Sequence, residues 1–265
     1  MNILYVGDIY GRPGIEVVQQ VLPRLRQEKQ IDFVVAQGEN VSNGRSLLPA
    51  DMQTLQAAGV DFFTGGNWSL FSPEAAPLLS DPNVPAIRPA NYPEGTPGLG
   101  WKVASTPRGK VLVISLLGDV VGRDAGKAID NPLLVVDKIL AENQELERVA
   151  AIVNLHGDFS SQKVIIGHYL DGRVTAVVGD HWHVPTADAR VLPMGTAHMS
   201  DVGMCGTLDS SLGVKLSVVI PRWRDGKVSK NEIETEGPRQ FNALLIHSDD
   251  GTGLARGVEP VRQII

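Results

Sequence analysis

Apolar residues in this chain come in short runs, each followed by an amphipathic stretch or a glycine-rich turn. Asn2-Ile3-Leu4-Tyr5-Val6 is too short and too β-branched for a buried helix and predicts a strand ending at Gly7-Asp8. Gly11-Arg12-Pro13-Gly14 predicts a helix start, because the missing N–H of Pro13 costs nothing in a first turn. Val18, Val21, Leu22 and Leu25 then recur at helical spacing, and Pro23 is expected to kink or shorten that helix. A second strand, Phe33–Ala36, ends at Gly38-Glu39-Asn40. A second helix over about 49–58 stops at Gly59, and a strand over 61–64 runs into Gly65-Gly66-Asn67.

Residues 81–100 are rich in proline and glycine and read as an ordered loop with one short strand near Ala86-Ile87. The spacing then predicts a strand over Val111–Leu117 and a helix over Leu133–Glu145, started by Asn131-Pro132. A strand over Ala150–Leu155 leads to His156, and a helix begins at Ser160-Ser161 and is closed by Gly172. Runs at 174–178, 214–220 and 241–247 predict three more strands. Alternating β and α elements of this kind imply a layered α/β fold. The first βα turn, Gly7-Asp8-Ile9-Tyr10-Gly11, lacks a Gly-x-Gly-x-x-Gly fingerprint, which argues against a dinucleotide-binding module.

Composition narrows the class. A hydrophobic content of 43% with 20% charged residues is that of a soluble globular protein, and 265 residues with no internal repeat or linker are expected to form a single domain, 1–265. No apolar run is long enough for a membrane span, and no secretory signal precedes the first strand. The only cysteine, Cys205, excludes an internal disulfide and fits a reducing cytoplasm. A net charge of −6 argues against an extended nucleic-acid surface, though not against a nucleotide-sized substrate.

The chemistry concentrates where strands run out. Gly179-Asp180-His181-Trp182-His183 follows the apolar run Val174–Val178 and offers two imidazoles from one turn. A lone His-x-His is commonly just a polar loop. Here Gly7-Asp8, Gly38-Glu39-Asn40, Gly65-Gly66-Asn67 and His156-Gly157 also set metal-capable side chains past apolar runs. In α/β folds the loops after the strand carboxyl ends converge, so a metal site is the better reading. Carboxylate, amide and imidazole donors without thiolate favour a borderline metal over a structural zinc.

In order and spacing, Gly7–Gly14, Gly38-Glu39-Asn40, Gly66-Asn67, Arg88–Gly98, His156, Gly179–Asp188 and Ser200–Met204 resemble the YmdB-like metallophosphoesterases, bacterial relatives of the calcineurin-like phosphoesterases. The resemblance implies a four-layer α/β/β/α sandwich of two mixed sheets carrying two metal ions, iron or manganese, with zinc as a further candidate. It implies that Asp8, Glu39, Asn40 and His183 hold one ion and that Glu39, Asn67, His156 and His181 hold the other, Glu39 bridging. The implied activity is hydrolysis of phosphodiesters, 2′,3′-cyclic nucleotides among them, by a cytoplasmic homo-oligomer.

The chain departs from that pattern at Trp68, where the family has a histidine that would protonate the leaving oxygen. Indole cannot act as a general acid, and loss of such an acid costs about 10²–10⁴ in rate. His198 is the candidate substitute donor. Asp119 stands where the family has an arginine, and Asp158 where it favours glutamate. Two functions follow: a metal-dependent phosphodiesterase weakened on poor leaving groups, or a catalytically silent metal-binding regulator that takes up a nucleotide or a protein partner.

Overall fold

The computed structural model describes residues 1–121 and 126–265. The chain begins with β1 (Asn2–Val6), β2 (Asp8–Ile9), α1 (Gly11–Glu28), β3 (Phe33–Gln37), α2 (Pro49–Ala57), β4 (Phe62–Thr64) and α3 (Ala75–Ser80). It continues through β5 (Trp101–Thr106), β6 (Gly109–Leu117), α4 (Pro132–Glu142), β7 (Ala150–His156), α5 (Ser160–Tyr169), β8 (Ala176–Asp180), β9 (Arg190–Val191) and β10 (Ala197–Met199). It closes with β11 (Met204–Thr207), α6 (Leu216–Asp225), β12 (Arg239–Ser248) and β13 (Ala255–Ile264).

These strands form two mixed sheets. The first runs β2-β11-β12-β1-β3-β4, with β13 along β12; the second runs β5-β6-β7-β8-β10-β9. Strands β1, β3 and β4 are mutually parallel, and so are β6, β7, β8 and β10, while β12 and β5 bring antiparallel pairing. Successive side chains of a strand point to opposite faces, and this period sorts the core into three layers. Ile3, Tyr5, Phe33 and Val35 meet Val111, Val113, Ile152 and Val178 between the sheets. Leu4, Val6, Val34 and Ala36 face the other way, onto Val18 and Leu22 of α1 and Leu55 of α2. Leu112, Ile114, Val153 and Val177 face Val136 and Ile139 of α4 and Ile166 of α5. Each central strand is thus covered on both faces, which is why its sequence is continuously apolar. The architecture is the expected α/β/β/α sandwich. Among the described residues no helix is long and apolar enough to cross a membrane.

Two expectations are corrected. Helix α1 runs uninterrupted from Gly11 to Glu28 with Pro23 inside it. Pro23 and Gln19 both lie on the solvent face, so water can satisfy the carbonyl that the missing N–H deserts. The run at 214–220 is not a strand: from Leu216 it is helix α6, none of whose residues is buried. A short apolar run does not separate strand from exposed helix. The helix is signalled instead by Arg222 and Arg224 in its last turn and by Gly226, which closes it in the left-handed conformation at φ 69°.

Candidate metal centre

Strand ends of both sheets supply the site. Asp8 opens β2 just past β1, Glu39 and Asn40 follow β3, and Asn67 follows β4; His156 ends β7, and His181 and His183 follow β8. Glu39 Oε1 lies 3.0 Å from His156 Nε2, and Asn67 Oδ1 lies 2.9 Å from the same nitrogen. The His156 and His181 rings meet edge to face at 4.4 Å between centroids. Donor atoms of Glu39, His156 and His181 fall within 4.8 Å of one another. On the other side, Asp8 Oδ1 is 3.9 Å from His183 Nε2. Asn40 links the halves, its Nδ2 lying 3.3 Å from Asp8 Oδ1 and 3.0 Å from Glu39 Oε1. The structure therefore brings all seven sequence-nominated residues into one cluster. A cation bound there would need the Asn40 amide turned so that its oxygen faces in, since only that atom has lone pairs to give.

The local backbone is shaped to present these groups. His181 and His183 sit at φ 106° and 62°, a region that side-chain-bearing residues seldom enter and that must be held by their surroundings. The holding residues are buried. Asp201 Oδ2 accepts from the Trp182 N–H at 2.8 Å and from Lys163 Nζ at 2.8 Å. Lys163 Nζ also donates to the Asp180 carbonyl at 2.7 Å and lies 3.9 Å from the Trp182 ring centroid. Trp182 thus packs away from its two flanking histidines, and its Nε1–H donates to the Asp158 carbonyl at 3.0 Å.

Asp180 was absent from the sequence-derived set. Its Oδ1 accepts from His156 Nδ1 at 2.7 Å, which turns Nε2 of that ring toward Glu39 and Asn67. Its Oδ2 accepts from Tyr5, Gln37 and Asn154 at 2.8, 3.0 and 2.6 Å. The signal was present in the sequence, an aspartate directly before His-x-His, and the orienting carboxylate behind a ligating histidine is a recurrent feature of metal sites. His183 has an equivalent anchor in Nδ1, 3.2 Å from the Leu212 carbonyl.

The cluster's charge favours a cation. Asp8, Glu39 and Asp180 are all buried within it. Burial, reinforced by the Asp180 charge, holds the Asp8 carboxyl well above the usual range. Burial opposes protonation of His156, but the Glu39 and Asp180 carboxylates outweigh it and raise this ring well above an ordinary histidine. Burial and the neighbouring His156 lower His181 to about 4, and burial lowers His183. Both rings are therefore neutral near pH 7 with a lone pair to donate, as metal binding requires. Buried carboxylates must be paired or coordinate a metal, and this donor set fits a cation. Cys205 gives no thiolate, since burial pushes its thiol up to about 12.

His198 is the candidate the structure relocates. Its strand neighbours Ala197 and Met199 point between the sheets, so alternation turns His198 to the opposite face, under α5. There Nδ1 lies 3.0 Å from the Val177 carbonyl, and the ring fills the space beside Gly167. It is not brought to the cluster and cannot stand in as the proton donor. Trp68 is half-buried at the rim. Its backbone N–H donates to Glu39 Oε2 at 2.8 Å, and its ring meets Phe71 at 5.3 Å. Asp119 is exposed, its backbone and side chain tied to Gln162 of α5.

The chain matches the family model described as YmdB-like protein over residues 4–261. It is 35% identical to a 2′,3′-cyclic-nucleotide 2′-phosphodiesterase of Bacillus subtilis, covering 98% of this chain and 96% of that protein. Among solved structures, a hypothetical protein from Thermus thermophilus superposes with a TM-score of 0.90 at 32% identity, covering 100% of this chain and 99% of the other. A novel phosphatase from Mycoplasma pneumoniae also reaches 0.90, at 27% identity, covering 100% and 93%.

Proposed function

The chain belongs to the YmdB-like family and is a hydrolase acting on phosphoester bonds; from that premise we propose that it is a two-metal phosphodiesterase, strongest on esters with good leaving groups. The observation that carries this reading is the junction of Asp8, Glu39, Asn40 and Asn67 from one sheet with His156, His181 and His183 from the other. Because both sheets contribute, the whole chain acts as one catalytic unit.

In this reading Asp8, Glu39, Asn40 and His183 would hold one metal ion, and Glu39, Asn67, His156 and His181 would hold the second. Iron or manganese suits the oxygen and imidazole donors, and zinc is accommodated. Such a pair supplies Lewis-acid polarisation of the phosphoryl group and a water acidic enough to attack near neutral pH. The chain's own part is orientation. Asp180 and the Leu212 carbonyl aim His156 and His183. The Lys163–Asp201 pair holds the turn that presents His181 and His183. The Trp68 N–H fixes the second oxygen of Glu39.

Trp68 has no proton to give a leaving alkoxide, and His198 lies under α5, away from the cluster. A nitrophenolate leaves unaided, whereas a ribose oxygen needs a proton as its bond to phosphorus breaks. The name of the Bacillus relative supports 2′,3′-cyclic nucleotides as the natural substrate class. Trp68 also favours a second reading, a metal-loaded protein that binds a nucleotide without turnover. One experiment separates the two. Purified protein reconstituted with iron or manganese is analysed for metal and assayed on bis(p-nitrophenyl) phosphate and 2′,3′-cyclic AMP in parallel. Two metals with aryl-ester turnover exceeding cyclic-nucleotide turnover supports the phosphodiesterase. Two metals with no turnover on either supports the silent binder, and absence of metal defeats both.

A further inference from the structure

Beside the cluster, the loop after Asn40 carries a guanidinium that rests on two aromatic rings. Arg45 lies with its Cζ 4.5 Å from the Trp68 ring centroid and 4.3 Å from that of Phe71. No described residue offers its side chain a hydrogen bond or an ion pair. Half-buried arginines ordinarily spend their five donors on carboxylates or carbonyls. Half-buried Arg26 and buried Arg88 here do so, on Gly59 and Asp61 and on Pro89, Thr96 and Pro97.

The loop is built to keep Arg45 at that spot. Asn43, Gly44 and Ser46 take φ of 54°, 80° and 60°, so three of the four residues 43–46 are in the left-handed region. Two of these are not glycine, and such backbone persists only where its surroundings enforce it. Ser46 Oγ does so, donating to the Trp68 carbonyl at 2.9 Å and accepting from the Ser72 N–H at 3.0 Å. The loop is thereby riveted to the turn that carries both aromatic rings. Neighbours of the loop touch the cluster. Trp68 is bonded to Glu39 and follows Asn67 directly. Tyr10, which lies beside Gly44, packs its ring on His183 at 5.5 Å. Burial raises the Tyr10 phenol, and the nearby Arg45 charge draws it back.

We propose that Arg45 is the substrate-phosphate-binding residue of this site, held in place by Trp68 and Phe71. Its planar fork suits two oxygens of one phosphoryl group, and its permanent charge is placed to oppose the negative charge that builds there and on the departing oxygen. It transfers no proton. The ring standing where the family pattern has an acid therefore has a use here as a platform for this cation. The consequence for substrate class is a preference for phosphodiesters whose leaving oxygen needs charge stabilisation rather than protonation.

The inference rests on the phosphodiesterase reading for its substrate, so its test includes a measurement independent of turnover. Metal-loaded whole protein is titrated with inorganic phosphate by calorimetry and assayed on bis(p-nitrophenyl) phosphate, for the unaltered chain and for Arg45→Met, Arg45→Lys and Phe71→Leu. Arg45→Met is expected to weaken phosphate binding about tenfold or more, the scale of one lost charged hydrogen-bonding partner, and to lower kcat/KM similarly at unchanged metal content. Arg45→Lys should recover part of both losses. Phe71→Leu keeps the charge but loosens its seat, and should give an intermediate loss. If Arg45→Met folds, holds its metals and binds phosphate like the unaltered chain, the proposal is overturned and the guanidinium is only a staple between loops. If Arg45→Met does not fold, Phe71→Leu decides, and unchanged phosphate affinity there overturns the aromatic seat. Loss of turnover in the unaltered chain would defeat the phosphodiesterase reading while leaving the phosphate titration decisive for Arg45.

Discussion

At Gly66 the site leaves no room for a side chain. A Cβ there would stand 2.3 Å from Glu39 Oε2 and 2.5 Å from His156 Cδ2, the two residues central to the cluster. Gly66→Ala is therefore expected to displace one or both. It should cost about 1–3 kcal/mol of stability, as overpacking does, and reduce bound metal sharply, read by urea unfolding and elemental analysis on the same preparation. Trp68 is the complementary residue, where space is filled but the chemistry has changed. Trp68→His should raise turnover of 2′,3′-cyclic AMP selectively, by up to the ~10²–10⁴ that a general acid contributes. Turnover of bis(p-nitrophenyl) phosphate should instead fall modestly, because the Arg45 seat loosens, and metal content should not change. Equal gains on both substrates would mean that protonation of the leaving group is not what limits the chain.

Single elements matter here through what they clamp. Helix α5 brings Lys163 under the turn after β8, where it pairs with Asp201; the two side chains are 1% and 0% exposed. Lys163→Met leaves a buried carboxylate without its cation and should cost about 3–5 kcal/mol. The same change should weaken metal binding, because Asp201 also holds the Trp182 N–H between the two histidines. Denaturant unfolding with and without metal separates these effects, and a loss below 1 kcal/mol would show that the pair is not needed. Helix α6 is the opposite case. Ile220 is 53% exposed, so Ile220→Ser should change stability by no more than about 0.5 kcal/mol, as surface substitutions do. A central strand through 214–220 would instead make it a costly core change.

For the molecule as a whole, the cluster is a polar seam at one end of two sheets whose facing sides are largely apolar. Three buried carboxylates sit at that seam, and cations bound there would tie β1, β3 and β4 to β7 and β8. Metal at a hundredfold excess over its dissociation constant should add about 2.7 kcal/mol. For a chain of this size that corresponds to a rise of roughly 5–10 °C in Tm. Calorimetry with and without chelator measures it. Glu39→Ala should abolish the rise, since in the proposed arrangement that carboxylate serves both ions. A Tm indifferent to chelator would count against metal at the seam.

How much of this could be read before the fold was known depends on the range of the forces involved. Strand ends are local: a β-branched run terminated by glycine and a polar residue marks both the element and the point where its chain emerges. Asp8, Glu39, Asn40, Asn67, His156, His181 and His183 were legible for that reason, and the layered α/β class followed from the alternation of such runs. Facing is not local. Alternation along β10 places His198 on one face or the other only after its partners are known, and it went to α5. Asp180 is signalled in the sequence only by its place before His-x-His, and Lys163 by nothing local. Packing buried them, and burial forced each to find the partner that now orients His156 or steadies the histidine turn. The run at 214–220 was ambiguous because apolar residues alone do not say whether a sheet has an edge free to receive them. The tertiary structure decides such matters because a buried polar group must be satisfied by whatever lies opposite, and what lies opposite comes from distant parts of the chain.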